Sequence, residues 1–244
     1  MLRFFRQIRQ RLITNNRFSK YLLYAIGEIL LVVIGILIAF QVDSWKNKKE
    51  NNLKAQKVLS ALHNEFTKNK EQLIRVKSFH TRVINASYDL LDLIAEPPNN
   101  YNESLMDSLI AEYSYFMTFD PYNSALEASI SSGDIHLIGN DSLINLLFAY
   151  PGMVFDANEE EVQSKQLLFK YKEDFLYKYT REINIWHDSR RSPFKSYYKG
   201  LLQDPYFENI VFSRQGIVQE LVKEQNAILH VNNLILALIE EELN

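Results

Sequence analysis

Residues 21–42 read YLLYAIGEILLVVIGILIAFQV, and this stretch decides how the rest of the chain is interpreted. Glu28 is its only ionised side chain, and nearly all of its other residues are apolar. An α-helix rises about 1.5 Å per residue, so about 20 apolar residues span the ~30 Å hydrocarbon core of a bilayer. The stretch therefore predicts a single transmembrane helix, with Trp45 as an aromatic anchor at the membrane interface just beyond it.

A cleaved signal peptide is the alternative for an apolar segment near the start of a sequence. The apolar region of a signal peptide is about 7–15 residues long and is followed by a small-x-small cleavage site. Here the apolar run is longer, and it ends in Ala39-Phe40-Gln41-Val42 without such a site. We therefore expect a signal-anchor that is retained.

The two flanks of the apolar stretch differ in charge. Residues 1–20 hold no acidic residue, whereas residues 43–50 combine three lysines with Asp43 and Glu50. Because basic residues accumulate on the cytoplasmic side of membrane helices, residues 1–20 are predicted to form a cytoplasmic tail, with the body outside the cytoplasm. Residues 2–13 fit either an amphipathic segment that lies on membrane lipid or a plain basic tail. The basic residues of this flank are Arg3, Arg6, Arg9, Arg11, Arg17 and Lys20.

Small residues mark one side of the predicted membrane helix. Gly27, Gly35 and Ala39 share a helix face, and small residues four positions apart let a second helix approach closely. Glu28 lies seven residues before Gly35 and faces nearly the same way. A carboxylate inside a bilayer is unfavourable unless it is paired, neutral or near water. Glu28 therefore contacts a partner helix, is protonated, or reaches the headgroups; a proton-transfer role would need a partner with several helices.

The composition favours an all-α body. The sequence has 7 glycines and 6 prolines, too few for the many turns of an all-β fold. It has no cysteine, which excludes disulfides, thiol nucleophiles and cysteine–metal sites. Residues 44–244 carry 21 basic and 28 acidic side chains, and an acidic body is not expected to bind nucleic acid.

Apolar periodicity predicts that residues 43–244 form an antiparallel helical bundle outside the cytoplasm, with long helices near residues 46–96, 155–190 and 215–243. Pro97-Pro98 ends the first helix, and heptad rows that include Leu221 and Ile228 form the core face of the last. Asn232 lies on the flank of that face, where a polar residue can set register. Shorter helices are predicted at 103–117, 121–131 and 143–149, and Pro151-Gly152 closes the last of these.

Two features of the middle region allow alternative interpretations. The aromatic residues Phe116, Phe119 and Tyr122 form either a ligand cage or part of the packed core. The acidic triplet Glu159-Glu160-Glu161 falls in the first turns of the predicted 155–190 helix. There it interacts favourably with the helix dipole as a solvated helix start, or it binds a cation.

Parts of the sequence resemble a known family. These are FSKYLLYAIGEI at residues 18–29, VVIGILIA at residues 32–39, and more loosely LEASISSG at residues 126–133 with Ile138. They are similar to an uncharacterised family of membrane proteins from Bacteroidota, known mainly as a domain of unknown function. The resemblance implies a single-pass protein of the bacterial inner membrane with a helical periplasmic domain, and it implies no activity.

The sequence contains no motif typical of catalysis. Its five histidines form no compact ligand spacing, and it has neither a glycine-rich phosphate loop nor a Gly-x-Ser-x-Gly motif. We therefore expect no enzyme activity, no cofactor and no metal.

Two functions are compatible with this sequence. The first is a membrane-anchored scaffold or interaction protein of the cell envelope, which contacts a protein partner or itself through its membrane and bundle helices. The alternative is an extracytoplasmic sensor that binds a small ligand and signals through a partner membrane protein. A pocket in the bundle lined by tyrosine and phenylalanine would favour the sensor.

Overall fold

The computed structural model describes residues 18–186 and 189–243, and every regular element within these ranges is helical. This confirms the all-α class. The chain divides into two compact units, a first unit of Met1–Ala55 and a second unit of Gln56–Asn244.

The first unit consists, from residue 18 onward, of part of one long helix. This helix, α1, spans Phe18–Ala95. Its large apolar side chains between Leu22 and Val42 are exposed, with exposed fractions between 43% and 76%. Among the described residues, α1 is the one helix long and apolar enough to cross a membrane.

Three long helices form the frame of the second unit. They are residues 56–95 of α1, then α4 (Asp141–Tyr171) and α7 (Pro205–Leu243). α7 runs antiparallel to α1, because the Gln56 side chain bonds the Glu242 carbonyl while Lys77 bonds Asn226. It is also antiparallel to α4 and packs along it. The shorter elements are α2 (Glu103–Tyr113), α3 (Ser124–Ser132), a 3₁₀ turn (Asp134–Leu137), a π-helical turn (Lys172–Leu176), a helical turn (Tyr177–Tyr179), α5 (Glu182–Trp186) and α6 (Tyr198–Leu202).

The buried apolar residues of the second unit form two clusters. The first joins α1, α3, α4 and α7 and contains Leu62, Phe66 and Ile228. The second joins α1, α2, the end of α4, α6 and the start of α7 and contains Tyr113, Tyr171 and Phe207. The heptad residues Leu221, Ile228 and Ile235 are fully buried, as the periodicity indicates. Asn232 is buried among them rather than on the flank, and its amide donates to the Phe66 carbonyl at 3.0 Å.

The prediction that Pro151-Gly152 closes a helix is wrong. Asn140 caps α4, since its side-chain oxygen accepts a hydrogen bond from the Leu143 N–H at 3.0 Å, but the helix continues to Tyr171 with Pro151 inside it. An internal proline removes one helical hydrogen bond and costs about 3 kcal/mol or more. Burial of apolar residues on both sides of Pro151, including Leu147, Tyr150 and Ala157, offsets this cost.

The bounds of the other predicted helices also change. No single helix covers 155–190: α4 gives way to the π-helical turn, and the backbone becomes extended at Thr180. α7 begins at Pro205, well before Gln215, because proline fits the first helical turn and Asp204 accepts a hydrogen bond from the Tyr206 N–H. α2 ends at Tyr113 rather than 117, and α3 begins at Ser124 rather than 121. Gly133, with a φ of 77°, ends α3 in the left-handed conformation that glycine adopts without strain.

Candidate binding groove

Residues 114–123, which we call the held segment, connect α2 to α3 without regular structure. A segment that runs against the interior of a bundle must satisfy its backbone N–H and C=O groups by hydrogen bonding. Here buried polar side chains on the three long helices form many of those hydrogen bonds. The residues concerned are Asn69, His80, Glu161 and Arg214, and Glu65 bonds the first turn of α3 directly after the segment.

Arg214 of α7 holds the start of the held segment. Its guanidinium donates to the backbone carbonyls of Tyr113 and Tyr115 and, through Nε, to the Ser164 hydroxyl at 3.3 Å. Only 1% of Arg214 is exposed, and within the described ranges no carboxylate forms a salt bridge with it. Burial lowers the pKa of Arg214. The negative end of the α2 dipole, at Tyr113, compensates part of the buried charge.

Glu65 and Asn69 of α1 hold the other end. The Glu65 carboxylate accepts hydrogen bonds from the Ala125 and Leu126 N–H groups, at 2.6 and 3.1 Å, in the first turn of α3. It thus caps a helix whose N-cap residue, Asn123, makes no side-chain capping bond. Asn69 bonds both the N–H and the carbonyl of Tyr122, at 2.7 and 2.8 Å. A buried cation therefore lies at the end of α2, and a buried carboxylate at the start of α3.

His80 and Glu161 hold the middle of the segment. His80 Nε2 lies 3.0 Å from the Met117 carbonyl, which only accepts, so Nε2 carries the proton. Nδ1 then accepts from the Gln225 amide at 2.9 Å, and burial lowers the pKa of His80, which favours this neutral ring. Glu161 of α4 accepts from the Phe119 N–H at 3.1 Å, and burial raises its pKa to about 7.

An open groove of about 490 Å³, which we call the aromatic groove, lies beside the end of the held segment. This volume falls in the range of small-ligand sites, about 300–1,000 Å³. The buried rings of Phe119 and Tyr150 contribute to its wall, while Tyr122 and Phe155 are largely exposed. The complete lining is Phe66, Phe119, Asp120, Pro121, Tyr122, Asn123, Leu126, Glu127, Ile130, Tyr150, Pro151, Val154, Phe155 and Asn158.

The polar groups of the aromatic groove are neutral or acidic. Asp120 accepts a hydrogen bond from the Thr118 hydroxyl at 2.6 Å, and Glu127 accepts one from the Asn123 amide at 2.5 Å. None of the residues that line the groove is basic. The Lys68 ammonium already lies 5.7 Å from the Tyr122 ring centroid, but the two carboxylates and the other aromatic faces suit an apolar group that carries a positive charge.

The membrane-face residues predicted from sequence all lie on α1 in the first unit. Gly27, Gly35 and Ala39 are exposed, and a Cβ added at either glycine would meet no atom within 4 Å. Glu28 is partly exposed. Trp45 is exposed, with the Lys49 ammonium 5.6 Å from its ring centroid.

The predicted basic flank lies mostly outside the described residues. Arg3, Arg6, Arg9, Arg11 and Arg17 fall in residues 1–17, as does the segment 2–13, and Lys20 falls in the described part of α1.

The structure separates the three aromatic residues that the sequence grouped together. Phe119 and Tyr122 line the aromatic groove, whereas Phe116 does not. The acidic triplet lies in the middle of α4 rather than at a helix start, and Glu161 is buried. Within residues 18–186 and 189–243, no group of three His, Asp or Glu residues has an arrangement that could hold a metal ion.

The sequence interpretation missed the five polar residues that bond the backbone of the held segment or of the α3 turn next to it. A signal for two of them was present, because Glu65 and Asn69 fall on the buried side of α1, between Leu62, Phe66 and Leu73. A charged or amide side chain at such a position indicates a buried partner. The sequence does not show which backbone groups Glu65 and Asn69 bond, since these partners lie 53 to 61 residues away in sequence.

Comparison with curated proteins and with solved structures found no match. A family model matches residues 28–172, more than half of the chain, and is described only as a family of unknown function. The matched range includes the held segment, Glu65, Asn69, His80, Glu161 and every residue of the aromatic groove, but not Arg214. The chain therefore belongs to the family of unknown function DUF6090.

Proposed function

We propose that the chain is a membrane-anchored interaction protein of the bacterial cell envelope. In this proposal residues 21–42 of α1 cross the inner membrane as a single retained anchor. The support is that this stretch is apolar on every side and that its large apolar side chains are exposed. A helix that is apolar all round is stable only when another apolar phase surrounds it. The six basic residues within 1–20 support a cytoplasmic N-terminus and a periplasmic second unit.

The second unit, in this proposal, docks a segment of another envelope protein in the aromatic groove. The observation that carries the proposal is an open groove with exposed aromatic rings, built beside a segment whose backbone is held by buried side chains. Such rigidity lowers the conformational entropy lost on binding. The acidic rim of the groove, formed by Asp120 and Glu127, favours a segment that carries lysine or arginine beside its apolar side chains. The proposed role is binding rather than catalysis.

Site-specific photocrosslinking of the full chain in its native membrane tests this proposal. A photoreactive phenylalanine analogue replaces Phe155, which lines the aromatic groove and is 65% exposed. The matched control is Phe212, which is 67% exposed and does not line the groove. We expect a crosslink to one partner from position 155 and none to that partner from position 212, with the crosslinked segment apolar and basic.

The rim makes the test specific for charge. Replacing Asp120 and Glu127 by Asn and Gln retains the shape of the groove and removes both carboxylates. We expect this double variant to weaken binding of a synthetic peptide that covers the crosslinked segment. Equal crosslinking from positions 155 and 212, or a crosslinked segment without a basic residue, would contradict the docking proposal.

A ligand-binding sensor is the second candidate, and the volume of the aromatic groove favours it. About 490 Å³ is enough for a small molecule, and the lining combines tyrosine and phenylalanine with few polar groups. Native mass spectrometry of the full chain, extracted gently from its own membrane, separates the two candidates. A bound small molecule that is lost in a Phe155→Ser variant supports the sensor, whereas a bound protein supports docking.

A further inference from the structure

A second groove, which we call the lysine groove, lies at the opposite end of the held segment. It measures about 320 Å³ and involves none of the residues of the aromatic groove. Tyr115 and Phe116 of the held segment form one side, and residues of α4, the π-helical turn and α5 form the rest. The complete lining is Ser114, Tyr115, Phe116, Lys165, Leu168, Phe169, Lys172 and Trp186.

The lysine groove is positively charged. The Lys165 ammonium lies 5.2 Å from the ring centroid of Phe116 and 6.0 Å from that of Phe169, and among the described residues it forms no salt bridge. Lys172 is 3.8 Å from the Glu182 carboxylate, and no acidic residue lines the groove. Arg214 adds a third positive charge behind the groove, because it bonds the carbonyls on both sides of Ser114.

The surrounding sequence has the same charge bias. Residues 165–199 contain nine basic and four acidic residues, although residues 44–244 as a whole are acidic. The excess of positive charge is therefore concentrated in the part of the chain that builds the groove. A local field of this sign attracts anions.

Ser114 contributes little to ligand binding in the lysine groove. It is buried, and its hydroxyl interacts with the hydroxyl of the neighbouring Tyr171. The ammonium groups of Lys165 and Lys172 are therefore the charged groups that the lining offers to a ligand.

We propose that the lysine groove binds an anionic phospholipid, with the phosphate at Lys165 and Lys172 and the apolar part against Phe169 and Trp186. Lysine side chains attract anionic headgroups, and exposed aromatic rings favour the boundary between headgroup and acyl chain. Phe169 and Trp186 are both exposed, and a free inorganic anion would leave them in water. A phospholipid covers them, which is why we assign a lipid rather than phosphate.

The two tryptophans of the chain provide a direct test. Replacing Trp45 by Phe retains an aromatic ring there and leaves Trp186 as the only tryptophan, inside the lysine groove. The full chain is placed in phosphatidylcholine nanodiscs and titrated with dihexanoyl phosphatidylglycerol below its micelle concentration. Dihexanoyl phosphatidylcholine and inorganic phosphate, at matched ionic strength, are the comparison titrants. We expect a saturable blue shift of Trp186 fluorescence with phosphatidylglycerol alone.

Charge variants identify the groups responsible. Lys165→Gln with Lys172→Gln should weaken the response to phosphatidylglycerol about 10- to 30-fold, from about 1 kcal/mol per lysine. Lys57→Gln with Lys223→Gln removes the same charge from exposed positions elsewhere and should leave the response unchanged. The proposal is overturned if no saturable shift occurs, if phosphatidylcholine or inorganic phosphate produces the same shift, or if both double variants respond alike.

Discussion

Two stretches of the same helix, α1, have similar apolar side chains and opposite environments. Leu31 is 70% exposed, as its neighbours from 22 to 42 are largely exposed, whereas Leu62 is completely buried in the second unit. The difference follows from spacing. Apolar residues occupy every side of the helix in the first stretch, but from Leu59 to Leu90 they recur every three, four or seven residues. A stripe is covered by neighbouring helices, whereas an apolar surface all round needs an apolar environment on every side, in a protein core or in a bilayer.

The two stretches also use polar residues differently. The buried face of α1 in the second unit carries Glu65, Asn69 and His80, and each is bonded to the backbone at or next to the held segment. The exposed apolar stretch contains a single carboxylate, Glu28. Polar side chains on α1 thus position the held segment in one unit, and their near absence in the other accords with the proposed membrane span.

The largest expected effect comes from charging the exposed stretch. Each arginine at the centre of a membrane helix costs about 2.5–3.5 kcal/mol, so Leu31→Arg with Ile34→Arg should cost roughly 5–7 kcal/mol of insertion free energy. We expect alkaline carbonate to extract this variant from the membrane, so that it is found in the supernatant rather than in the pellet. The control, Leu105→Arg with Phe212→Arg, charges exposed residues of the second unit and should stay in the pellet. Equal extraction of both variants would remove the distinction between the stretches.

A pair of matched alanine substitutions should separate the stretches by stability. Leu62→Ala opens a cavity in a packed core and should lower the free energy of unfolding of the second unit by about 2–5 kcal/mol. Leu31→Ala removes the same atoms from an exposed position and should change that quantity by less than about 0.5 kcal/mol. Guanidinium unfolding of the full chain in detergent, followed by circular dichroism, measures both. Similar losses would mean that residue 31 also belongs to a protein core.

The pH dependence of stability should report on Glu161, which is 3% exposed. Its pKa is raised from 4.5 to about 7, so the folded state binds this proton more tightly than the unfolded state does. Protonated Glu161 therefore contributes its full share to the free energy of unfolding below pH 4.5. This contribution, about 3 kcal/mol at most, is lost as pH rises through about 7. We expect Glu161→Gln to abolish this loss and to be more stable than the unchanged chain at pH 8.

Chemical unfolding of both proteins at pH 5 and pH 8 tests this prediction, and parallel pH profiles would contradict it. A loss of stability as pH falls below 6.5 is expected in both, because burial lowers the pKa of His80 and its protonation then disfavours the folded state.

The smallest effect on stability is expected in the aromatic groove. Phe155→Ser should change the free energy of unfolding by no more than about 0.5 kcal/mol, because this ring is already exposed. It should nevertheless abolish co-purification of the docked partner, whereas Phe212→Ser should not. Comparison of partner recovery with the unfolding midpoint distinguishes a binding surface from a structural one. Loss of stability together with loss of the partner would indicate that Phe155 supports the fold.

The fold could be predicted from the sequence where local patterns govern it. The apolar stripe of α1, its end before Pro97, the capping role of Asn140 and the heptads of α7 all rest on residues close in sequence. Pro151 misled the interpretation, because burial of its neighbours outweighs its cost in α4. The grooves were not predictable, since they form around an irregular segment held by residues such as Arg214, about a hundred positions away.

The central claim is that residues 21–42 lie in a bilayer while the second unit lies in water. The chain has no cysteine, so single introduced cysteines report on this cleanly. We would measure maleimide labelling of Leu31→Cys and Ser213→Cys, both exposed positions, in the full chain in its native membrane. The membrane vesicles are made permeable so that the reagent reaches both faces while the bilayer itself is retained. The account predicts rapid labelling at 213 and labelling at 31 only after the bilayer is dissolved and the chain denatured. Rapid labelling at 31 in intact membranes would contradict it.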